Sequence, residues 1–269
     1  MHHIHGWLTR LLPIFLLAGA CRPMLAPVTR YPTLELRGHV SGATLAVAVQ
    51  GDYAYLGFSY ELVVLNLADR SNPQWVTSLP LPANDIAVDG QRAAVVGLGG
   101  FTLLDLSEPS TPVVLGRLPL AMTPTGVAMI EAYAYVVGEA RLHMIDLADA
   151  QTPTLLTWLS LPKRLEGITV QAGAAYITAD TGLYIVDVAD PRHPIQLSLL
   201  AGAPADGAPV LVGEQLYFGS GGQVQMVDVA DPSKPQLVAQ ADAPTWVSEL
   251  AVVEGYLYVA NGNQGLRVL

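Results

Sequence analysis

Acidic residues recur at the beginning of short β-type stretches of this chain, namely at Asp85, Glu166, Asp206 and Glu249. Carboxyl groups that a fold holds close together raise one another's pKa, and such a pair can act as a general acid and a general base. A hydrolase or lyase with an acidic site is therefore one hypothesis for the protein. It depends on whether the structural elements bring these side chains to one place, because a fold alone never establishes chemistry.

A second repeated set of polar residues favours structure over chemistry. Its members are Asn66, Asp105, Asp146, Asp187 and Asp228. Each follows an aliphatic run and precedes a turn, where a side-chain oxygen can accept hydrogen bonds from backbone N–H groups that the turn leaves open. They occur once per repeat, whereas a calcium ion needs several oxygen ligands around one point. We expect these residues to stabilise turns, and we expect no metal and no cofactor.

The usual catalytic and nucleotide-binding motifs are incomplete in this sequence. Ser220 lies in a Gly-Ser-Gly-Gly stretch, but Phe218 replaces the first glycine of the nucleophile elbow. Residues 97–100 (Gly-Leu-Gly-Gly) lack the third glycine and the following helix of a dinucleotide-binding loop. We therefore predict no catalytic residue from motifs, and the enzyme hypothesis depends on the four carboxylates alone.

The composition limits the class of partner. The chain has 269 residues, of which 51% are hydrophobic and 13% charged, and a formal net charge of −10. A chain this acidic disfavours a nucleic-acid groove and an anionic membrane surface. The single cysteine cannot form an internal disulfide or supply a cysteine cluster for a metal. We expect a folded protein with no nucleic-acid partner.

The first 30 residues are typical of a targeting segment. The apolar run Leu11–Leu17 precedes small residues, as in a secretory signal, and is shorter than the roughly 20 residues of a membrane span. Leu-Ala-Gly-Ala-Cys, ending at Cys21, resembles the bacterial lipoprotein signal, in which the thiol is lipidated. This resemblance implies a signal peptide at residues 1–20 and a lipidated Cys21 with a tether through residue 30. A plain secretory signal with an incidental cysteine is the alternative.

Residues 31–269 consist of about six copies of one sequence repeat. Each unit has an aliphatic run, a polar residue of the repeated set and a proline seven positions later, as in residues 184–194. Successive polar residues are 39, 41, 41 and 41 positions apart. A tyrosine stands eleven positions before the polar residue in three of the later units and in the first, and Tyr258 extends the series to a sixth unit. Regular self-similarity of this length indicates a repeat architecture.

Four short β-type stretches in about 41 residues match one blade of a β-propeller. We predict an all-β fold, a six-bladed β-propeller with four antiparallel strands per blade. The last unit lacks a fourth strand, whereas Pro32–Leu36 matches a fourth strand that has no unit before it. We therefore predict that this N-terminal strand completes the C-terminal blade, which would leave no blade with an unpaired edge inside the ring.

The repeat resembles the LVIVD-repeat family of bacterial and archaeal surface propellers. Tyr184-Ile185-Val186-Asp187 and Met226-Val227-Asp228 carry the resemblance, which covers residues 31–269. Asn66 departs from the pattern in the first unit. The resemblance implies an exported scaffold or interaction protein, and it supplies no catalytic residues.

Loops between blades and loops joining the second and third strands emerge on one side of a propeller, so their polar residues can form one site. The candidates at the starts of the innermost strands are Asn84, Asp85, Thr125, Arg164, Glu166, Asp206 and Glu249. The candidates in the other loops are Arg141, Asp180 and Asn261. Their mostly acidic character predicts a channel mouth that binds a cationic or hydroxyl-rich ligand or a partner protein. The alternative is a solvated rim required for solubility.

These observations favour a monomeric, non-catalytic propeller that binds a protein or glycan partner at the bacterial cell envelope. The protein would be extracytoplasmic, either secreted or attached to the membrane through its lipid alone. A propeller hydrolase or lyase with an acidic channel mouth is the alternative. An enzyme requires convergent carboxylates with shifted pKa beside a pocket. A binding module requires a broad face with aromatic or apolar anchors.

Overall fold

Runs of Val, Ile, Leu, Ala and Tyr separated by turns form antiparallel strands along the described chain, as the β propensities of these residues predict. In the computed structural model, the described residues are 44–243, 245–260 and 265–269. They form 23 strands in six sheets. The all-β, six-bladed β-propeller with four antiparallel strands per blade is therefore confirmed. No helix in these ranges has the length and hydropathy that a membrane crossing requires.

The first three blades follow the repeat in order. Blade one contains β1 (Ala46–Gln50), β2 (Tyr53–Gly57), β3 (Leu62–Asn66) and β4 (Gln74–Leu79). Blade two contains β5 (Asp85–Asp89), β6 (Arg92–Gly97), β7 (Gly100–Asp105) and β8 (Val113–Leu118). Blade three contains β9 (Gly126–Ile130), β10 (Tyr133–Gly138), β11 (Arg141–Asp146) and β12 (Thr154–Ser160).

The remaining blades continue the same topology. Blade four contains β13 (Leu165–Gln171), β14 (Ala174–Ala179), β15 (Gly182–Asp187) and β16 (Ile195–Ala201). Blade five contains β17 (Ala205–Val212), β18 (Gln215–Ser220), β19 (Gln223–Asp228) and β20 (Gln236–Asp242). Blade six contains β21 (Glu249–Val253), β22 (Tyr256–Ala260) and β23 (Leu266–Val268) among the described residues. The predicted closing strand Pro32–Leu36 lies outside them, as do the signal, Cys21 and the tether.

The repeated polar residues stabilise turns, as the sequence predicts. The side-chain oxygen of Asn66 accepts the backbone N–H of Ala68 at 2.8 Å. The aspartates at the same place in the other blades accept the N–H two positions later at 2.8–2.9 Å, in the case of Asp105, Asp146, Asp187 and Asp228. Since each oxygen serves its own turn, these residues do not form a shared site.

The apolar core lies in the layers between blades rather than at the centre of the ring. Between blades three and four, Tyr135 and Met144 pack with Ile177 and Tyr184. Between blades one and two, Tyr55 belongs to a similar buried layer, and its hydroxyl donates to the carbonyl of Pro109 at 3.2 Å. Among the described residues, five of the six apolar clusters are shared by two neighbouring sheets, so burial of apolar area stabilises those blades jointly.

The innermost strands pack side by side in chain order, from β1 against β5 to β17 against β21. Side chains and backbone of these strands meet closely: a Cβ at Gly167 would lie 2.5 Å from Cα of Ala208. These strands line the central channel. The residues at their first positions therefore belong to one end of that channel.

Candidate binding site at the channel mouth

Three of the predicted carboxylates occupy one equivalent position in three blades. Asp85 pairs with Val96, Asp206 with Gly219 and Glu249 with Ala260, each two residues beyond the repeated Tyr or Ala position of the second strand. The same cross-strand position holds only small residues in the other blades, namely Ala46, Gly126 and Gly167. At this position, three blades thus carry an acidic side chain, and the other three carry glycine or alanine.

Asp85 is a positioned carboxylate. Its Oδ2 accepts the backbone N–H of Val127 in blade three at 2.8 Å, and its Oδ1 accepts the N–H of Ile86 at 2.8 Å. Reduced hydration raises its pKa to about 6, although both hydrogen bonds act in the opposite direction. Asp206 resembles it, because burial raises its pKa while a hydrogen bond from the N–H of Val247 lowers it. Both side chains therefore join neighbouring blades as well as facing the channel.

Glu249 has the most shifted carboxyl of this group. The surrounding protein reduces its hydration, and the charge of Asp85 adds to this effect, so its pKa rises to about 7. A hydrogen bond from the N–H of Leu250 opposes the shift. Its side chain nevertheless remains accessible to solvent. A group of this kind changes its charge near neutral pH and can still reach a ligand.

The fourth carboxylate, Glu166, forms an ion pair with Arg164, which lies two positions earlier in the chain. Arg164 Nε lies 3.3 Å from Glu166 Oε1. Burial raises the pKa of Glu166, Arg164 lowers it, and the charges of Asp180 and Asp206 raise it further. The structure therefore brings four predicted residues close enough to interact electrostatically, namely Arg164, Glu166, Asp180 and Asp206.

A cavity of about 330 Å³ opens beside this ion pair. Its lining includes four of the predicted residues, Asn84, Thr125, Arg164 and Glu166. Two of them also bind adjacent blades, since Asn84 Nδ2 donates to the carbonyl of Pro124 at 3.1 Å and Thr125 Oγ1 to that of Leu165 at 2.7 Å. The cavity is polar and held rigidly by contacts between blades.

The remaining candidates have different placements. Arg141 lines a separate cavity between blades two and three, not this one. Asn261 lies outside the described residues. In the described ranges, no group of three or more His, Cys, Asp or Glu side chains is arranged to hold a metal ion.

Large apolar side chains are exposed on the same end of the propeller. We call this surface the mouth face: it comprises the loops between blades and the loops joining second and third strands. Tyr60, Leu98 and Trp246 are exposed there by 80%, 72% and 55%. Trp246 is oriented by a hydrogen bond from its Nε1 to Ser248 Oγ, 3.0 Å long. Large apolar side chains exposed together on one face are typical anchors of a binding surface.

Thr178 supports the site beside Asp206, and the sequence analysis did not identify it. It is fully buried, donates from Oγ1 to the carbonyl of Gly207 at 2.6 Å, and accepts the N–H of Gly167 at 3.0 Å. It thereby fixes the backbone of blades four and five beside Asp206. A signal was present, because the same position holds Gly57, Val96 or Val137 in other blades.

Comparison with known proteins supports the repeat and the fold. A family model described as "LVIVD repeat" matches residues 41–79, 82–118, 166–198, 210–243 and 246–269. No curated protein matches the chain.

Solved structures with the same fold share little sequence. A Lactobacillus plantarum protein is 13% identical with a TM-score of 0.70, covering 84% of this chain and 80% of its own. A functionally unknown protein from Desulfotomaculum acetoxidans is 14% identical with a TM-score of 0.66, covering 84% and 82%. BamB from Moraxella catarrhalis is 14% identical with a TM-score of 0.57, covering 83% and 80%. At these identities the similarity shows the fold alone.

Proposed function

The chain belongs to the LVIVD-repeat family, and from this premise we propose that it is a non-catalytic binding scaffold of the bacterial cell envelope. It binds a protein or glycan partner through the mouth face. The observation that carries the proposal is the exposure of Tyr60, Leu98 and Trp246 on the same face as a polar, rigid cavity. Apolar anchors of this kind supply affinity, and the surrounding carboxylates select partners with cationic or hydroxyl groups.

Rigidity supports this role. The mouth residues are held by hydrogen bonds between blades, such as Asp85 to Val127 and Thr125 to Leu165. A surface that is already ordered loses little conformational entropy when a partner binds. The family and the sequence of the leader support an exported location, and the lipid on Cys21 holds the propeller at the membrane.

The binding role is tested by comparing two sets of variants. In the first, Tyr60, Leu98 and Trp246 are replaced by Ser together. In the control set, Trp75, Val113 and Ile195, which are exposed to a similar degree on outermost strands, are replaced by Ser. Crosslinking in intact cells and screening against a glycan array should show a partner that is lost only in the first set. Equal binding by both sets would refute the proposal.

The location is tested separately. Mass spectrometry of the mature N-terminus should show an acylated Cys21, and Cys21→Ser should release the protein from the membrane fraction. An unmodified thiol in the mature protein would refute lipid attachment without affecting the binding proposal.

A second candidate function is favoured by the electrostatic pair Asp85 and Glu249. Their pKa values of about 6 and about 7 would let one carboxyl donate a proton while the other accepts one near neutral pH. This is the hydrolase or lyase alternative. It predicts that turnover of a glycan or ester probe is lost in Glu249→Gln and retained in the triple Ser variant of the mouth face. A binding scaffold shows no turnover in any of these proteins.

A further inference from the structure

A separate cavity lies between blades two and three, away from the channel. It has a volume of about 230 Å³ and lies where Leu120, just beyond the last strand of blade two, meets β11 and β12 of blade three. Arg141 and His143 of β11 and Leu155 and Trp158 of β12 line it. The volume corresponds to about seven or eight water molecules in the liquid. A ligand of this size has a single ring.

His143 is the unusual residue of this cavity. It is only 3% exposed, and its Nδ1 has no hydrogen-bond partner among the described residues. Leaving a buried polar atom unpaired costs about 1–3 kcal/mol. The same strand position is filled by Val63 and Thr102 in blades one and two. The fold of the repeat therefore does not require an imidazole at this position.

Trp158 stands directly opposite His143 in the β11–β12 pairing. The two ring centroids are 6.3 Å apart with an interplanar angle of 65°. Trp158 is 54% exposed, and Leu155 beside it is also exposed. The indole therefore offers apolar area at the cavity that no described residue covers, which is the usual way in which an aromatic side chain receives a ring.

Arg141 supplies the charge. Its side chain is exposed, and it makes no hydrogen bond or ion pair with the described part of the chain. No acidic residue lines this cavity. In a chain with a net charge of −10, an unpaired guanidinium beside an aromatic ring is a local anion-binding group, because its planar donors match a carboxylate.

Burial lowers the pKa of His143, and the charge of Arg141 lowers it further. The imidazole is therefore neutral near pH 7, with one N–H donor and one acceptor nitrogen. It can form a hydrogen bond with a hydroxyl or carboxyl group without adding charge.

We propose that this cavity binds a small ring-shaped ligand that carries a carboxylate. The ring packs on Trp158 and Leu155, the carboxylate binds Arg141, and a polar group of the ligand pairs with His143. Two sources share this chemistry, an acidic sugar and an aromatic acid. The cavity borders the mouth face, because Leu120 lies in the loop between blades two and three. It contains none of the anchors Tyr60, Leu98 and Trp246 and no residue of the polar cavity at the channel mouth, so failure of this second proposal would leave the proposed function unaffected.

Binding is measured by saturation-transfer NMR and calorimetry on the full chain. Glucuronate and benzoate are the probes, and glucose and benzamide are their neutral analogues. We expect one of the two acids to bind at one site, about tenfold more tightly than its neutral analogue. Glucuronate binding identifies an acidic sugar, and benzoate binding identifies an aromatic acid. Absence of binding by both, or equal binding of the neutral analogue, would overturn the proposal.

Variants separate the three contacts. Trp158→Ala should weaken binding about tenfold, whereas Trp75→Ala, which removes a similarly exposed indole on blade one, should not change it. Arg141→Gln should remove the preference for the acid over its neutral analogue. His143→Thr, which copies blade two, should weaken binding while the fold remains stable. If Trp75→Ala weakens binding as much as Trp158→Ala, or if His143→Thr leaves affinity unchanged, the assignment is wrong.

Discussion

Asp85 of blade two and Glu249 of blade six occupy the same cross-strand position, opposite Val96 and Ala260, and the charge of Asp85 raises the pKa of Glu249. One blade separates them, and it presents only Ala46 at this position. The small side chain leaves the two carboxyl groups without an intervening group. This relationship makes the channel mouth sensitive to pH.

Replacing Glu249 by Gln should stabilise the protein at alkaline pH. The folded state binds the Glu249 proton more tightly than the unfolded state does, because its pKa rises from 4.5 to about 7. Its ionisation therefore costs stability as pH rises from the unfolded value through the folded value. Urea unfolding at pH 4.5, 6 and 8 should show an increasing advantage of Glu249→Gln. A difference that is independent of pH would contradict the assignment.

Removing the Thr178 hydroxyl should weaken the junction of blades four and five. Thr178→Val leaves the N–H of Gly167 and the carbonyl of Gly207 without this partner, so we expect a loss of about 1–3 kcal/mol in the free energy of unfolding. Thr102→Val is the control. Thr102 is buried but makes no hydrogen bond through its side chain in the described chain, and Val63 fills its position in blade one. Equal losses in the two variants would show that the bridge is not important.

A methyl group at Gly167 should disturb the channel wall. A Cβ there would lie 2.5 Å from Cα and 2.7 Å from N of Ala208, which are backbone atoms that cannot move independently. Gly167→Ala should cost about 1–3 kcal/mol by overpacking. At Gly99 a Cβ meets no atom within 4 Å, so Gly99→Ala should be neutral or slightly stabilising. Thermal unfolding of both variants measures the difference, and similar melting temperatures would refute close contact of the inner strands.

The fourth prediction concerns the proposed closing strand, Pro32–Leu36. Replacing residues 32–36 by Gly and Ser should lower the melting temperature, since blade six has three described strands and β23 forms the edge of that sheet. The same replacement at residues 23–27, in the proposed tether, should have little effect. Hydrogen exchange at Leu266 and Val268, whose N–H groups point away from β22, should increase only in the first variant. An unchanged melting temperature for both would contradict closure by this segment.

The sequence was sufficient to predict the number of blades and the turn chemistry. The 41-residue period and the repeated Asp before each turn depend on local rules, and local rules act the same way in every unit. Asp85 and Asp206 stand near the starts of the inner strands β5 and β17, because the phase of the repeat determines which residues begin these strands.

The pairing of particular charges could not be predicted in this way. That Glu249 interacts with Asp85, while Glu166 interacts with Asp206, depends on side-chain direction and on the small residues between blades. The cavity at Arg141 and His143 depends on how two blades meet, and the sequence pattern of one blade contains no information about the partner surface. The repeat predicts the fold of each blade, whereas packing between unlike residues of two blades determines where a site forms.

The third-strand position that holds His143 differs in all six blades, as Val63, Thr102, His143, Tyr184, Gln225 and Arg267. His143 meets residues that follow blade two, and Tyr184 packs with residues of blade three, so in both cases the side chain faces the preceding blade. The propeller is therefore a set of near-identical clefts with different chemical linings. A substitution in one cleft need not alter the next, so a single domain can acquire ligand specificities one blade interface at a time.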